Sequence, residues 1–476
     1  MARSLVTFRE RSGCRPSARP SPGRARQTGR SSTKHHKVGG VSRIPHPEVD
    51  VPRQLPPWGL TRGGRNPRPW RDPRLRSTAA LLTSLTALAA TSLVAGPAVA
   101  ESAAGPCALR RTNAHHSEGL DTWNTAYPRP ARTLNAVMVF LSFPDSPPTT
   151  TPDELAADHF PATSQFFERA SYGKFELRPH PGREWVQMPR DSTSYDIKRD
   201  WNAQRRAAYL RDALAAADPH VDFSRHDIVY FVADPNAPGV DSDATKVVNF
   251  DRPMRADGTD IRRVVTVFER HPPDRNVLAH ETGHVFDLPD LYHRPTDGKG
   301  DWDTHVGDWD LMGSQFGLAP DLFGWHKWKL GWLEPHQVRC VAAGPERLTL
   351  EPLAAPAAPT ARGPLGGGTR LAVIRTGRDT AIALEARGAT GNDHATCTEG
   401  VLVYEVRNGT ASGGGPIEVV DAHPESESCW GDSVYPQLAD APVRVGETFT
   451  VPGEDVRVEV EARTASGAWA VTVAAG

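Results

Sequence analysis

The stretch from His280 to Asp290, which runs H-E-x-x-H-x-x-x-x-x-D, constrains this chain more than any other feature. On a helix His280 and His284 lie one turn apart, so both imidazoles project from one face and can bind a single Zn²⁺. Glu281 lies about 100° round the helix from His280, close enough to take a proton from a metal-bound water. The stretch therefore predicts a zinc site with a general base beside it.

A catalytic zinc ion usually has three protein ligands and one position left for water. Asp290 is the predicted third ligand, because Pro289 stops the helix and lets the chain return toward the metal. Asp287 falls on the ligand face, His293 lies nearby, and a distant glutamate is a further alternative. Asp287 is favoured instead as a hydrogen-bond partner of a ligand histidine.

The helix that carries these residues is predicted to begin after Pro272-Pro273, with Asp274 as its N-cap. Its apolar arc consists of Val277, Leu278, Val285 and Leu288. Glu281 lies inside that arc and is therefore partly desolvated beside a cation. Burial raises the pKa of a carboxylate and a cation lowers it, a balance that suits a group which takes up and releases a proton.

The first hundred residues are not expected to belong to a folded domain. Residues 1–76 carry 18 Lys and Arg against four acidic residues and lack apolar periodicity, which predicts a disordered basic leader. Residues 77–100 form an apolar run that ends in Ala98-Val99-Ala100, typical of a secretory signal peptide. A membrane anchor is the alternative, but the run is short and Gly96-Pro97 interrupts it. We therefore expect a secreted protein that has no stable membrane insertion after cleavage.

Removal of the leader changes the charge balance. The whole chain has a net charge of −2, residues 1–76 contribute 18 − 4 = +14, and residues 77–100 contribute none, which leaves −2 − 14 = −16 for residues 101–476. Such an acidic protein is a poor candidate for nucleic-acid binding. We expect protein or peptide substrates and a monomer.

Four cysteines follow the leader, which itself contains Cys14. An even number in an oxidising compartment favours disulfides. We predict that Cys397 pairs with Cys429 and that Cys107 pairs with Cys340. The alternative for Cys107 is a free thiol that caps the zinc before activation.

Residues 101–132 are polar and predict a linker or a short pro-segment. A domain over residues 133–336 follows, with strands predicted over residues 134–143, near 171–177, and over 227–232 and 263–268. Helices are predicted from a cap at Thr151 or Asp153 through Phe167, and over residues 203–217. Residues 234–258 predict a solvated acidic surface loop, with a Ca²⁺ site as the alternative.

Residues 337–476 predict an all-β sandwich, because short β-branched runs alternate with Gly, Pro and Asp. The predicted strands are Leu371 to Arg375, Ala381 to Ala386, Gly400 to Val406, Ile417 to Asp421, Glu447 to Val451, Val456 to Glu461 and Ala468 to Val473.

Two features follow the zinc-binding stretch. Met312 lies in an apolar turn, where one class of zinc peptidases places a methionine beneath the metal. Trp325, Trp328 and Trp332 have helical spacing, which favours packing against the core over a substrate-binding stripe.

Together these residues resemble the M6 metallopeptidases, the immune inhibitor A-like group. The resemblance lies in the segments from His280 to Tyr292, Phe166 to Lys174 and Trp309 to Ser314, and in the trailing strands around Glu385 and Glu405. It implies a secreted zinc endopeptidase. The catalytic domain would have an α+β metzincin-like fold, which consists of a twisted sheet and an active-site helix, and the β-sandwich would follow it in the chain.

Position by position, the resemblance supports His280, His284 and Asp290 as ligands, Glu281 as base and Met312 as the turn residue. The pattern of that group has glycine where this chain has Asp287, and glycine adopts the left-handed turn to the third ligand more easily than aspartate.

The sequence does not decide which side chain would stabilise the oxyanion that forms at the substrate carbonyl. The candidates are Tyr292, His293 and His305.

The alternative function is a secreted binding or adhesion protein with a structural or inactive zinc site. Glu281 argues against it, since a structural zinc site needs no base.

Overall fold

The computed structural model describes residues 105–295, 299–355 and 367–476. These residues form a mixed α and β structure with three sheets. The predicted leader, residues 1–76, and the predicted signal peptide, residues 77–100, lie outside the described residues. Within the described ranges, no helix combines the length and the apolar character needed to cross a membrane.

The helices are α1 (Pro152–His159), α2 (Ala162–Ala170), α3 (Ser192–Tyr195), α4 (Ala203–Ala217), α5 (Val277–Val285) and α6 (Gly324–Lys329). The strands are β1 (Thr133–Ser142), β2 (Glu176–Gln187), β3 (Ile228–Ala233), β4 (Lys246–Ala256), β5 (Thr259–Val267), β6 (Val338–Cys340), β7 (Gly344–Leu350), β8 (Leu371–Arg375), β9 (Thr380–Arg387), β10 (Gly400–Arg407), β11 (Ile417–Val419), β12 (Thr448–Thr450), β13 (Val456–Arg463) and β14 (Trp469–Ala475).

The first sheet has the order β2-β1-β3-β5-β4, in which β4 is an antiparallel edge strand and the other neighbours are parallel. Side chains alternate between the two faces of a strand, so β1 contributes to two cores. Met138 packs in the core that contains Leu278 of α5, whereas Val139 packs in the core that contains Tyr209 of α4. Both faces are covered, which explains the nearly continuous apolar sequence of β1.

Two sequence predictions in this region were wrong. The single helix expected through Phe167 is two helices, α1 and α2, and Pro161 between them has no N–H group to extend α1. The loop expected over residues 234–258 contains β4. A register shift between Asn249 and Met254 interrupts the alternation of this strand, so its sequence lacks the usual period of two.

The C-terminal region contains two further sheets, one of the order β11-β10-β9-β8-β6 and one of the order β12-β13-β14-β7. The predicted seven strands are present with small changes at their ends, and β6 and β7 were not predicted. The two sheets share one hydrophobic core, as in a β-sandwich. In β10, Val401 and Val403 face that core, whereas Leu402 and Tyr404 face the core beneath α5. The middle sheet is therefore buried on both faces.

Residues 105–132 contain no helix or strand but are packed against the rest of the structure. Leu109 and Glu118 are both 0% exposed. The predicted disulfides Cys107–Cys340 and Cys397–Cys429 are confirmed, with Cα–Cα distances of 5.6 and 6.3 Å. The alternative of a free Cys107 thiol over the metal is contradicted, because this sulfur is bonded to that of Cys340.

A buried ionic cluster centred on His326 joins this N-terminal segment to α6 and to the turn before Met312. The two ring nitrogens of His326 lie 3.0 Å from Glu118 Oε1 and 3.2 Å from Asp310 Oδ2. Burial lowers the pKa of His326, but the carboxylates of Glu118 and Asp310 outweigh it and raise that pKa to about 9. The imidazolium is therefore the form that the folded protein stabilises.

We predict that the two disulfides contribute unequally to stability. The Cys107–Cys340 bond closes 233 residues and the Cys397–Cys429 bond closes 32, so the first restricts the unfolded chain more. Loss of the Cys107–Cys340 bond should lower the free energy of unfolding by about 1 to 2 kcal/mol more than loss of the Cys397–Cys429 bond. Urea unfolding of the two double-serine variants measures the difference. Equal losses, or a reversed order, would contradict the prediction.

The free energy of unfolding should depend on pH through the protonation of His326. Because the folded-state pKa of His326 is raised from 6.5 to about 9, its stabilisation is complete below pH 6.5 and is lost as the pH rises through about 9. The loss should be about 3 kcal/mol, measured from urea midpoints across this range. His326→Gln, which does not titrate, is the control and should show a flatter profile. Parallel profiles for the two proteins would refute this assignment.

Candidate metal centre

The candidate site is built on α5, which begins later and ends earlier than the sequence predicts. The N-cap is Asn276 in the left-handed region, with a φ of 59°. The side chain of the predicted cap, Asp274, does not cap the helix, and its backbone carbonyl accepts a hydrogen bond from the N–H of Val277 at 3.3 Å. The helix ends at Val285, four residues before Pro289. Pro289 is therefore not the residue that terminates it.

The structure brings His280, His284 and Asp290 together. One ligand atom from each lies within 4.8 Å of the other two, and the described residues contain no other such group of His, Cys, Asp or Glu. Asp290 Oδ1 lies 3.0 Å from His284 Nε2 and 3.5 Å from His280 Nε2. Two imidazole nitrogens and one carboxylate oxygen therefore face a common point.

Backbone carbonyls fix the orientation of both imidazoles. His280 Nδ1 lies 2.9 Å from the carbonyl of Leu311, and His284 Nδ1 lies 2.8 Å from the carbonyl of Leu288. A carbonyl oxygen only accepts, so each Nδ1 carries the hydrogen and donates it. In the neutral form of each ring, the lone pair is thus on Nε2, the atom that faces Asp290, as in histidines that bind metals.

Met312 lies directly beneath the helix. It is fully buried, and a Cβ added to Gly283 of α5 would collide with its sulfur. Asp310 Oδ1 accepts the N–H of Met312 at 2.7 Å, and the carbonyl of Met312 accepts the N–H of Leu291 at 2.9 Å. The turn therefore supports both the helix and the segment that carries Asp290.

Asp287 produces the bend between the helix and Asp290. Its φ of 64° places it in the left-handed region. Its carboxylate accepts hydrogen bonds from Arg111 Nη2 at 2.6 Å and from His116 Nδ1 at 2.8 Å, while its carbonyl accepts one from Lys329 Nζ at 2.8 Å. The expected contact between Asp287 and a ligand histidine is wrong, because both carboxylate oxygens are directed to the N-terminal segment.

The sequence did not identify His116 as part of the site. Its ring stacks on that of His284 with a centroid distance of 5.8 Å, and it lines the cleft that His280, His284 and Asp290 also line. Burial lowers the pKa of His116 to about 4, despite the hydrogen bond to Asp287. A neutral imidazole is thus held beside a candidate ligand.

Glu281 occupies the same cleft, which has a volume of about 650 Å³. Its Oε2 accepts a hydrogen bond of 2.8 Å from the N–H of Val247 on β4. Burial raises the pKa of Glu281, and the neighbouring imidazoles of His284 and His280 oppose that shift only in part. Strand β4, which the sequence did not predict, therefore orients this carboxylate.

The other electrostatic shifts in the site follow from the contact between His284 and Asp290. Burial lowers the pKa of His284, but the carboxylate of Asp290 raises it to about 9 overall. Burial raises the pKa of Asp290, and the charge of His284 reverses this, so the pKa lies well below its usual range. A proton and a metal ion would compete for the same cluster.

Of the three residues considered for oxyanion stabilisation, only Tyr292 lines the cleft. Its ring stacks on that of His280 with a centroid distance of 6.3 Å. The ring centroids of His293 and His305 are 5.1 Å apart, and His305 Nδ1 lies 3.1 Å from a carboxylate oxygen of Glu418. His305 is therefore directed to the C-terminal region, and the ring of His293 lies beside it.

We predict that Asp287→Ala lowers the free energy of unfolding by about 3 kcal/mol, because it breaks a buried ion pair and places alanine in the left-handed region. Asp287→Gly should be less destabilising, since glycine adopts this conformation freely. Asp196, with a φ of 52° and an ion pair to Lys198, is the control. Its side chain is 38% exposed against 1% for Asp287, so Asp196→Ala should cost less. Urea unfolding ranks the variants, and equal losses for the two alanine variants would exclude the proposed role of burial.

Comparisons with known proteins give no family assignment. No protein-family model matches the sequence, and no curated protein matches it. Two crystal forms of OgpA from Akkermansia muciniphila are weakly similar in structure. One is 10% identical, with 63% of this chain and 95% of that chain covered and a TM-score of 0.23. The other is 12% identical, with 74% and 97% covered and a TM-score of 0.25. Similarities this weak assign neither a fold nor a function to this chain.

Proposed function

We propose that this chain is a secreted zinc-dependent endopeptidase of the M6 type. The observation that carries the proposal is the convergence of His280, His284 and Asp290 in an open cleft that also contains the buried carboxylate of Glu281. A structural zinc site requires ligands but no base. The presence of Glu281 in the cleft therefore favours a catalytic role over the alternative of a binding protein with an inactive site.

The donor set fits zinc in number and in chemistry. Catalytic zinc sites combine three histidine or carboxylate ligands with one position for water. In the proposed enzyme, His280 and His284 contribute Nε2 and Asp290 contributes Oδ1. When bound, zinc would lower the pKa of a water molecule to about 7 and polarise the substrate carbonyl.

Glu281 is the proposed general base and then the general acid. It removes a proton from the attacking water as the new C–O bond forms at the scissile carbonyl carbon, and it delivers that proton to the leaving amine as the C–N bond breaks. Its Oε2 is engaged by the N–H of Val247, which leaves Oε1 for the proton. Burial raises the pKa of Glu281, which favours uptake of the proton before its release to the amine.

The edge of β4 is the proposed binding site for an extended peptide. One side of this strand pairs with β5, and the other has no strand neighbour among the described residues. Such an edge presents N–H and C=O groups to which a peptide can add as a further strand. Val247 lies on β4 next to Glu281, so a peptide on that edge would pass the base.

Features of the fold and of the composition also support the proposal of a secreted, metzincin-like enzyme. The first sheet, parallel apart from its antiparallel edge strand, shares a hydrophobic core with α5, and Met312 packs beneath that helix. Two disulfides fit an oxidising compartment. The acidic charge of residues 101–476 is compatible with protein substrates and disfavours nucleic acid.

We predict that Glu281→Gln retains zinc but loses at least about 100-fold in the rate of casein hydrolysis, because the amide cannot accept the proton. Asp290→Ala should lose both zinc and activity. Zinc content is measured by elemental analysis after dialysis, and hydrolysis by release of soluble peptides.

Glu184→Gln, an exposed change on β2 outside the cleft, is the matched control and should behave like the wild type. A wild-type protein that holds zinc yet leaves casein and a mixed peptide library intact would eliminate the peptidase proposal. Full activity of Glu281→Gln would eliminate the assigned base.

A further inference from the structure

A serine from the C-terminal β region makes two contacts with the proposed third ligand. Ser412 lies in the loop between β10 and β11 and is 122 residues from Asp290 in sequence. Its hydroxyl donates to Asp290 Oδ2 at 2.9 Å and accepts the N–H of Asp290 at 2.8 Å. One side chain thus holds both the carboxylate and the backbone of Asp290.

These contacts distinguish the two oxygens of the carboxylate. Oδ2 is occupied by the hydroxyl of Ser412, whereas Oδ1 faces the Nε2 atoms of His284 and His280 at 3.0 and 3.5 Å. A carboxylate with one oxygen fixed in this way cannot rotate freely about its Cβ–Cγ bond. Oδ1 is therefore held in place as the one carboxylate oxygen that faces the two imidazoles and is available to a metal ion.

Backbone contacts extend the same arrangement. The N–H of Gly413 donates to the carbonyl of Asp290 at 2.9 Å, and the carbonyl of Gly413 accepts the N–H of Arg294 at 3.4 Å. Gly413 has a φ of 75°, a conformation that glycine adopts without strain. The loop and the ligand segment therefore run together over several residues, and the contact is more than a single surface hydrogen bond.

The loop is also anchored at its start. Asn408, the residue after β10, is 0% exposed, and its Oδ1 accepts a 2.6 Å hydrogen bond from Ser117 Oγ. Its Nδ2 donates to the carbonyl of Arg110. Because β10 is buried on both faces of the middle sheet, the position of Ser412 depends on the folded C-terminal region.

We infer that Ser412 is a positioning residue for the metal centre and that the C-terminal β region is thereby part of the catalytic unit. The inference rests on the proposed function, because it concerns the third zinc ligand. Groups that hydrogen-bond a metal ligand orient it and typically change metal affinity by 10- to 100-fold when they are removed.

The test compares zinc affinity in full-length Ser412→Ala, Ser412→Thr and wild-type proteins by competition with a chromogenic chelator. We expect Ser412→Ala to bind zinc about 10- to 100-fold more weakly, with the melting temperature of the metal-free protein unchanged. Ser412→Thr keeps the hydroxyl and should restore the affinity. Thr410→Ala, in the same loop, is the control and should match the wild type.

The outcomes separate this inference from the proposed function. Wild-type affinity in Ser412→Ala, combined with loss of zinc in Asp290→Ala, would overturn the role of Ser412 alone. A weaker affinity accompanied by an equal loss of stability in the metal-free protein would also overturn it, since the serine would then be merely structural. Zinc retention by Asp290→Ala, or no zinc in the wild type, would instead overturn the ligand set.

Discussion

The left-handed turn at Asp287 is the constraint on which the candidate site depends. Without it, the chain would leave α5 in the direction of the helix, and Asp290 could not return to the imidazoles. Aspartate adopts this conformation less readily than glycine, but its buried carboxylate gains contacts that glycine lacks. Arg111 and His116 supply those contacts. The departure from the glycine pattern is thus accompanied by an N-terminal segment that stabilises it.

The parts of the molecule that surround the turn are held together by buried charges as well as by apolar packing. Arg387 of β9 donates to Glu385 and Asp393, each at 2.8 Å, and all three side chains are buried. Glu385 also accepts the N–H of Gly324 at the start of α6. Because a buried ion is costly when it is left unpaired, these residues specify how the middle sheet meets the helices. The same sheet positions the loop that reaches Asp290.

Much of the fold and part of the site were predictable from the sequence. Spacing along one helix predicts that His280 and His284 face one point, because their geometry is local. Strand β4 was missed, since an edge strand with a register shift lacks a clear hydrophobic period. His116 and Ser412 could not be predicted, because their partners lie 171 and 122 residues away and only the tertiary structure brings them together. Longer-range geometry therefore completes a site whose centre is local.

We propose that His280, His284 and Asp290 together bind one zinc ion. Anomalous diffraction at the zinc edge, from crystals of the zinc-loaded protein, tests it most directly. We expect one peak about 2.0 to 2.2 Å from the Nε2 atoms of the two histidines and from Oδ1 of Asp290. A peak coordinated by Asp287 or His293 in place of Asp290, or no peak between the two imidazoles, would contradict it.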